Sequence, residues 1–247
     1  MVAVGKTDVG KVRTSNQDRV FVRVLEKERA YAVVCDGMGG HAGGEVASEL
    51  ASECIREGLD RIREGASAEE ILLRMTDAVK KANRKVFAEG LCREELRGMG
   101  STAVVAYLCG RVLLIAHVGD SRAYLFGADG TARQLTQDHS LMQEMIDRGE
   151  ILQEQSEKFP YKNLITRAVG IEPEVRVDTG VFDWHDGDTV LLCSDGLSNT
   201  VKLPQMQAIL AEEKADGSRA CRRLIDLANR NGGPDNITVA VLKTDEE

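Results

Sequence analysis

Residues 101–126 hold three apolar strands in immediate succession, and that succession narrows the fold more than any other feature of the chain. The runs 101–108, 111–118 and 122–126 are rich in β-branched, aromatic and leucine side chains. Only Cys109-Gly110 and Gly119-Asp120-Ser121 separate them, connections too short for a crossover helix. Ala128-Asp129-Gly130 then turns the chain into a further strand at 131–135. Neighbouring strands must run antiparallel, as a meander, which argues against a doubly wound parallel sheet.

The flanking segments supply the other layers. Strands are expected at 2–4, 19–25 and 31–35, the last apolar on both faces and therefore central. A helix over 41–63 carries an apolar stripe through Val46, Leu50, Cys54, Ile55, Leu59 and Ile62. Ser67 and Glu70 form a capping-box pattern ahead of a second helix striped by Ile71, Met75, Val79, Ala82 and Val86. Asp138-His139-Ser140 is expected to cap a helix running to Arg148, followed by a charged surface excursion over 150–162. Strands at 175–182 and 189–193, helices at 204–210 and 218–229 and a final strand at 237–242 complete the order. Amphipathic helices need a sheet face to cover. The expected architecture is α+β, a four-layer αββα sandwich of two antiparallel sheets with helix pairs outside. No linker-like or repetitive stretch interrupts 1–247, so one domain is expected.

Acids recur where apolar strands stop. Val33-Val34-Cys35-Asp36-Gly37 and Leu191-Leu192-Cys193-Ser194-Asp195-Gly196 share one grammar. Asp235 stands just before the last strand, Asp120 follows Val118-Gly119, and Asp18 precedes the second strand. A single Asp-Gly after a strand is ordinary turn chemistry. Several carboxylates at the same ends of adjacent strands would repel one another unless cations met them. Hard oxygen donors in that number suit Mg²⁺ or Mn²⁺, and no Cys/His set has zinc-ligand spacing. Two such ions can share a water and bring hydroxide into reach near neutral pH, which suits in-line hydrolysis of a phosphate ester. Arg13 is placed to grip phosphoryl oxygens.

Charge and composition bound the partners. The net charge of −8 and the lack of a basic block argue against nucleic acid. No apolar run reaches membrane-spanning length, and the N-terminus lacks a signal-peptide pattern. The 6 cysteines show no CxxC pairing, which suits free thiols in a reducing compartment. A soluble, cytoplasmic, monomeric protein without membrane association is expected.

The motifs, taken together, resemble the metal-dependent Ser/Thr protein phosphatases of type 2C in their compact bacterial form. The resemblance rests on segments 12–18, 34–41, 100–103, 117–122, 135–140, 164–170, 193–197 and 233–238, in family order along nearly the whole chain. It implies that Asp36 bridges two Mn²⁺ or Mg²⁺ ions, that the Gly37 carbonyl joins one, and that Asp195 and Asp235 complete the other. It implies that Asp18 orders metal-bound water, that Asp120 holds a third, weaker ion, and that Arg13 binds phosphate. A metal-bridging hydroxide would then attack phosphoserine or phosphothreonine in phosphorylated proteins, with no phospho-enzyme, opposing a cognate Ser/Thr kinase. Residues 144–165 would form a flap that helps choose substrates.

Two positions depart from the family pattern. Gln17 stands where some members have a metal-binding glutamate, and Met38 stands where eukaryotic members have a histidine proposed as general acid. His41 is a candidate for that acid role; it also fits as a polar residue at a helix start, and bound water could serve instead. Arg122 is expected to pair with a nearby carboxylate, His117 to be a satisfied core histidine, and His139 to join a turn network beside the site. Thr102 fits either support of the metal loops or plain packing. Two other functions stay open: an inactive phosphoprotein-binding module, and a regulatory switch acting on anti-sigma-factor antagonists. The first should have lost metal acids, and the second should carry more degenerate motifs.

Overall fold

The computed structural model describes residues 1–26, 28–152 and 164–244, with the side chains of Glu26, His41 and Ala42 outside that description. One sheet has five strands in the order β1 (Val2–Asp8), β11 (Ile237–Lys243), β10 (Thr189–Cys193), β7 (Arg122–Phe126) and β8 (Ala132–Gln134). The other runs β2 (Asp18–Glu26), β3 (Arg29–Met38), β5 (Ala103–Cys109), β6 (Val112–Val118) and β9 (Asp178–Asp183), with the short β4 (Gly100–Ser101) pairing with the end of β3. Every ladder is antiparallel, and β5–β6 and β7–β8 are expected hairpins, but β6 and β7 do not pair: the 119–121 connection carries the chain from one sheet to the other, so the expected three-strand meander is split between the two sheets.

Period-two alternation sorts the side chains into three buried layers. From β3, Tyr31, Val33 and Cys35 pack against the helices α1 (Gly40–Leu59) and α2 (Ala68–Cys92). Ala30, Ala32 and Val34 from the same strand face the other sheet, meeting Ala123, Val190, Leu192, Ala240 and Leu242. On the far side, Val239 and Val241 of β11 pack against α5 (Leu203–Glu212) and α6 (Gly217–Arg230). A strand buried on both faces must be apolar on both, which is why 31–35 and 239–242 read as unbroken apolar runs. The αββα order follows directly from these three cores.

The helix signals hold locally. Ser67 Oγ accepts the Glu70 amide at 3.2 Å, capping α2. Helix α3 (Leu141–Asp147) is capped from the expected Asp138–Ser140 segment, by Ser140 Oγ accepting the Gln143 amide. Two differences have identifiable causes. Strand β9 starts at Asp178 because Val175 and Val177 are spent packing into the helix-side core. The single turn α4 (Asp195–Ser198) is too short to leave a 3.6-residue pattern in the sequence. The expected flap over 144–165 is only partly within the described residues; 153–163 lie outside them.

Candidate metal centre and phosphoryl cleft

Antiparallel pairing brings the C-terminal end of one strand beside the N-terminal start of the next. Asp18, opening β2, sits opposite Asp36, near the end of β3, in direct register. In the other sheet Asp195 follows β10 and Asp235 precedes β11, while Asp120 lies in the connection that crosses from β6, in the sheet of Asp18 and Asp36, to β7 in this other one. Asp36, Asp120, Asp195, Asp235 and Arg13 line one open cleft of about 500 Å³, together with Gly37 and Met38.

The backbone around Asp36 is held from several sides. Its amide donates to Thr102 Oγ1 at 2.9 Å, and its carbonyl accepts from the Thr102 amide and from Ser101 Oγ. Thr102 in turn shares a 2.7 Å hydrogen bond with Ser121. Thr102 is thus a support of the acidic turn and not only a packing residue. Gly37 donates to the Gln17 carbonyl, and a Cβ there would collide with the Gly44 carbonyl. Only glycine allows α1 to approach the strand end this closely. Gln17 Nε2 donates to the Gly40 carbonyl at 2.9 Å, so its amide braces the start of α1.

The acids are costly where they stand. Burial first, then Asp18, Asp195, Asp120 and Asp235, push Asp36 well above the usual carboxylate range. Asp18 is raised to about 6, chiefly by burial, against the opposing hydroxyls of Thr238 and Ser194. Asp195 is raised to about 6 by burial and Asp235, and Asp120 to about 7 by burial and Asp195. Asp18 Oδ1 and Asp120 Oδ1 are buried without a hydrogen-bond partner among the described residues. An orphaned buried carboxylate oxygen is rare in a folded protein and points to a ligand. Hard oxygens, mutual repulsion and orphaned acceptors fit a divalent cation of the Mg²⁺/Mn²⁺ class.

Arg13 is the cation at the cleft mouth. Its Nη2 pairs with Asp235 Oδ2 at 2.8 Å, and that bond raises its pKa further. The guanidinium remains half exposed, with donors to spare. Arg122 makes the expected carboxylate pair, meeting Asp138 through Nε and Nη2 at 2.9 and 2.6 Å. The sequence reading missed Ser194, which donates to Asp18 Oδ2 at 2.7 Å, and Asn236, whose Oδ1 accepts the Gln17 amide. Both directly neighbour an acid, and that adjacency was the available signal. His41 is in the first turn of α1 by its backbone, with its side chain outside the described residues. His117 is buried as expected, yet its Nδ1 has no hydrogen-bond partner among the described residues, so it is not a satisfied histidine.

A sandwich of this topology with an acidic cleft at one end of its strands defines a class that comparison with known proteins makes specific. The family profile described as Protein phosphatase 2C matches residues 10–227. The serine/threonine phosphatase stp of Listeria innocua is 39% identical over 243 residues, covering 98% of this chain and 96% of that protein. The crystal structure of the Mycobacterium tuberculosis serine/threonine phosphatase PstP/Ppp superposes with a TM-score of 0.89 at 35% identity, covering 99% of each chain. The catalytic domain of serine threonine protein phosphatase PstP in complex with two manganese ions superposes at 0.86, with 34% identity and coverage of 99% and 98%. The chain belongs to the protein phosphatase 2C family, in its compact bacterial form, and is a protein serine/threonine phosphatase.

Proposed function

We propose that this phosphatase hydrolyses phosphoserine and phosphothreonine in proteins at a two-ion Mn²⁺ or Mg²⁺ centre. Asp36 would bridge the ions, the Gly37 carbonyl would join one, Asp195 and Asp235 would hold the other, and Asp120 would serve a third, weaker one. The observation that carries this reading is the convergence of Asp18, Asp36, Asp120, Asp195 and Asp235 on one end of two sheets, with raised pKa values at Asp18, Asp36, Asp120 and Asp195 and orphaned oxygens on Asp18 and Asp120. The two manganese ions of the structurally similar PstP domain agree with it. Bound there, the ions supply Lewis acidity, making a water nucleophilic near neutral pH and drawing charge from the phosphoryl group.

The chain's own residues do the rest. Arg13 holds two phosphoryl oxygens through its fork, aligned by its bond to Asp235. Asp18, fixed by Ser194, orients the attacking water with its free Oδ1. A water oxygen bonds to phosphorus as the bond to the serine or threonine oxygen breaks, and the departing alkoxide needs a proton. Met38 cannot give one. His41, at the start of α1, is the proposed donor. Phosphorylated proteins are the substrates and a Ser/Thr kinase the antagonist in this reading. It further takes 1–247 as a single catalytic domain that acts as a cytoplasmic monomer. Among the described residues no helix is long and apolar enough to cross a membrane.

Hydrolysis of a phosphothreonine peptide should require Mn²⁺ or Mg²⁺ and stop in EDTA, returning when the ion is restored. Activity that persists in EDTA would overturn the two-ion reading. The acid role of His41 has its own test. His41→Ala should cost the phosphopeptide about a hundredfold in kcat and p-nitrophenyl phosphate, whose leaving group needs no proton, under tenfold. Equal losses on both would remove His41 from that role.

A further inference from the structure

His117, His139, Asp178 and Arg167 form a buried-to-half-buried cluster that the hydrolytic reading does not use. Three ligand-type atoms of His117, His139 and Asp178 lie within 4.8 Å of one another, spacing that a cation could exploit. A protein cation already stands there: Arg167 Nη1 is 2.9 Å from Asp178 Oδ1 and 3.0 Å from His139 Nε2. His139 Nδ1 is also committed, accepting the Gly119 amide at 3.0 Å. Accepting through Nδ1 places the ring proton on Nε2, which faces Asp178 Oδ2 at 3.3 Å, so Arg167, itself only a donor, acts on the ring through its ion pair with Asp178 and not by a hydrogen bond to Nε2. The His117 ring stacks on His139 at 4.7 Å between centroids and 15° between planes. The His139 ring is therefore clamped on its face, at its far nitrogen and at its near nitrogen.

Each end of the clamp leads to the cleft. Gly119 precedes Asp120, and its carbonyl also accepts the His139 amide, so His139 meets this glycine twice. On the other side the His139 carbonyl accepts the Thr166 amide, and Ser140 bridges to Ile165, a residue of the cleft wall. Arg167 belongs to the same segment, whose Val169 pairs with Ser101 beside the Asp36 support.

We propose that His139 is a positioning residue: through the Gly119 amide it fixes the turn that aims Asp120, and through Thr166, Arg167 and Asp178 it locks that turn to the 164–170 wall of the cleft. The part that concerns cation affinity rests on the reading of Asp120 as the site of the third, weaker ion. A turn held by an acceptor on its glycine amide presents its carboxylate in one orientation, and loss of one such buried bond corresponds to roughly a tenfold change.

Two substitutions separate position from bulk. Asparagine carries an acceptor oxygen near the place of Nδ1, whereas glutamine reaches the place of Nε2 and leaves the Gly119 amide without its acceptor. In amide hydrogen exchange followed by NMR, His139→Gln should exchange Gly119 at least about tenfold faster and His139→Asn should stay close to wild type. Asp178→Asn, a half-exposed change, provides a second variant with an intermediate increase. In a calorimetric Mn²⁺ titration, His139→Gln should weaken the third, weakest event about tenfold, with the two tighter events unchanged and His139→Asn restoring the third. Gly119 protection that survives His139→Gln, or equal behaviour of Gln and Asn, overturns the positioning role. A weakest Mn²⁺ event that survives Asp120→Asn overturns the reading of Asp120 instead, since Gly119 exchange is measured without metal.

Discussion

Asp36→Asn should lower kcat/KM on a phosphothreonine peptide by on the order of a thousandfold, about 4 kcal/mol of transition-state stabilisation, and at the same time raise the melting temperature of the metal-free protein. The two effects share one cause. Asp36 is the carboxylate on which the others bear most heavily, with Asp18, Asp195, Asp120 and Asp235 all acting against its charge. Asparagine keeps the volume and removes the charge. The fold then no longer carries a buried acid that must either stand as an anion among anions or take up a proton on folding, and relief of about 1 kcal/mol would raise the melting temperature by roughly 2–4 °C in a chain of this size. The same substitution takes away the proposed bridging ligand, so activity collapses. A site kept for function at the expense of stability has this signature. Kinetics and thermal denaturation in EDTA check it together. An activity loss below tenfold, or a lower melting temperature without metal, would contradict the account.

Mn²⁺ should stabilise the protein far more at pH 7.5 than at pH 5.5. Asp18 and Asp195 are raised to about 6 and Asp120 to about 7, from an ordinary value of 3.8. A carboxyl whose folded pKa exceeds its unfolded pKa keeps its proton in the native state at a pH where the unfolded chain has lost it. Native stability from these groups is therefore full below about 4 and is lost as pH rises to about 7. Metal binding needs the opposite form. Near pH 5.5 the ion must displace protons from these acids, and near pH 7.5 it meets carboxylates already ionised. An ion present at a hundred times its Kd adds about 2.7 kcal/mol to the native state, or roughly 5–10 °C in melting temperature. That gain should appear at pH 7.5 and shrink to less than half at pH 5.5. Equal gains at the two pH values would mean that the acids do not carry raised pKa values.

The acids were legible because their signal is local. An unbroken apolar run that stops at an Asp-Gly can be read within a few residues, as at Val33–Gly37 and Val190–Gly196. The layer order was legible for a related reason: strands apolar on both faces and striped helices leave few ways to bury everything. Pairing between segments distant in sequence was not legible. That β11 lies between β1 and β10, and that Asp18 faces Asp36 in register, depends on contacts between segments distant in sequence. Ser194 supports Asp18 from the other sheet, so neither residue announces the other. His139 joins the turn beside the site as expected, but its partners Gly119, Arg167 and Asp178 were not legible, for the same reason. His117 looked like a satisfied core residue because its apolar strand was apparent, while the orphaned Nδ1 and the stacked ring were not. Met38 lines the cleft beside Asp36 and Gly37, and methionine has no proton to give.

The central claim is that these strand ends form one centre for two divalent ions bridged by Asp36. Titration of the metal-free protein with Mn²⁺, followed by calorimetry and by electron paramagnetic resonance, tests it most directly. The account predicts two tight ions per chain with a spin-coupled signal, and loss of that coupling in Asp36→Asn. One tight ion per chain, or two that remain coupled in Asp36→Asn, would contradict it.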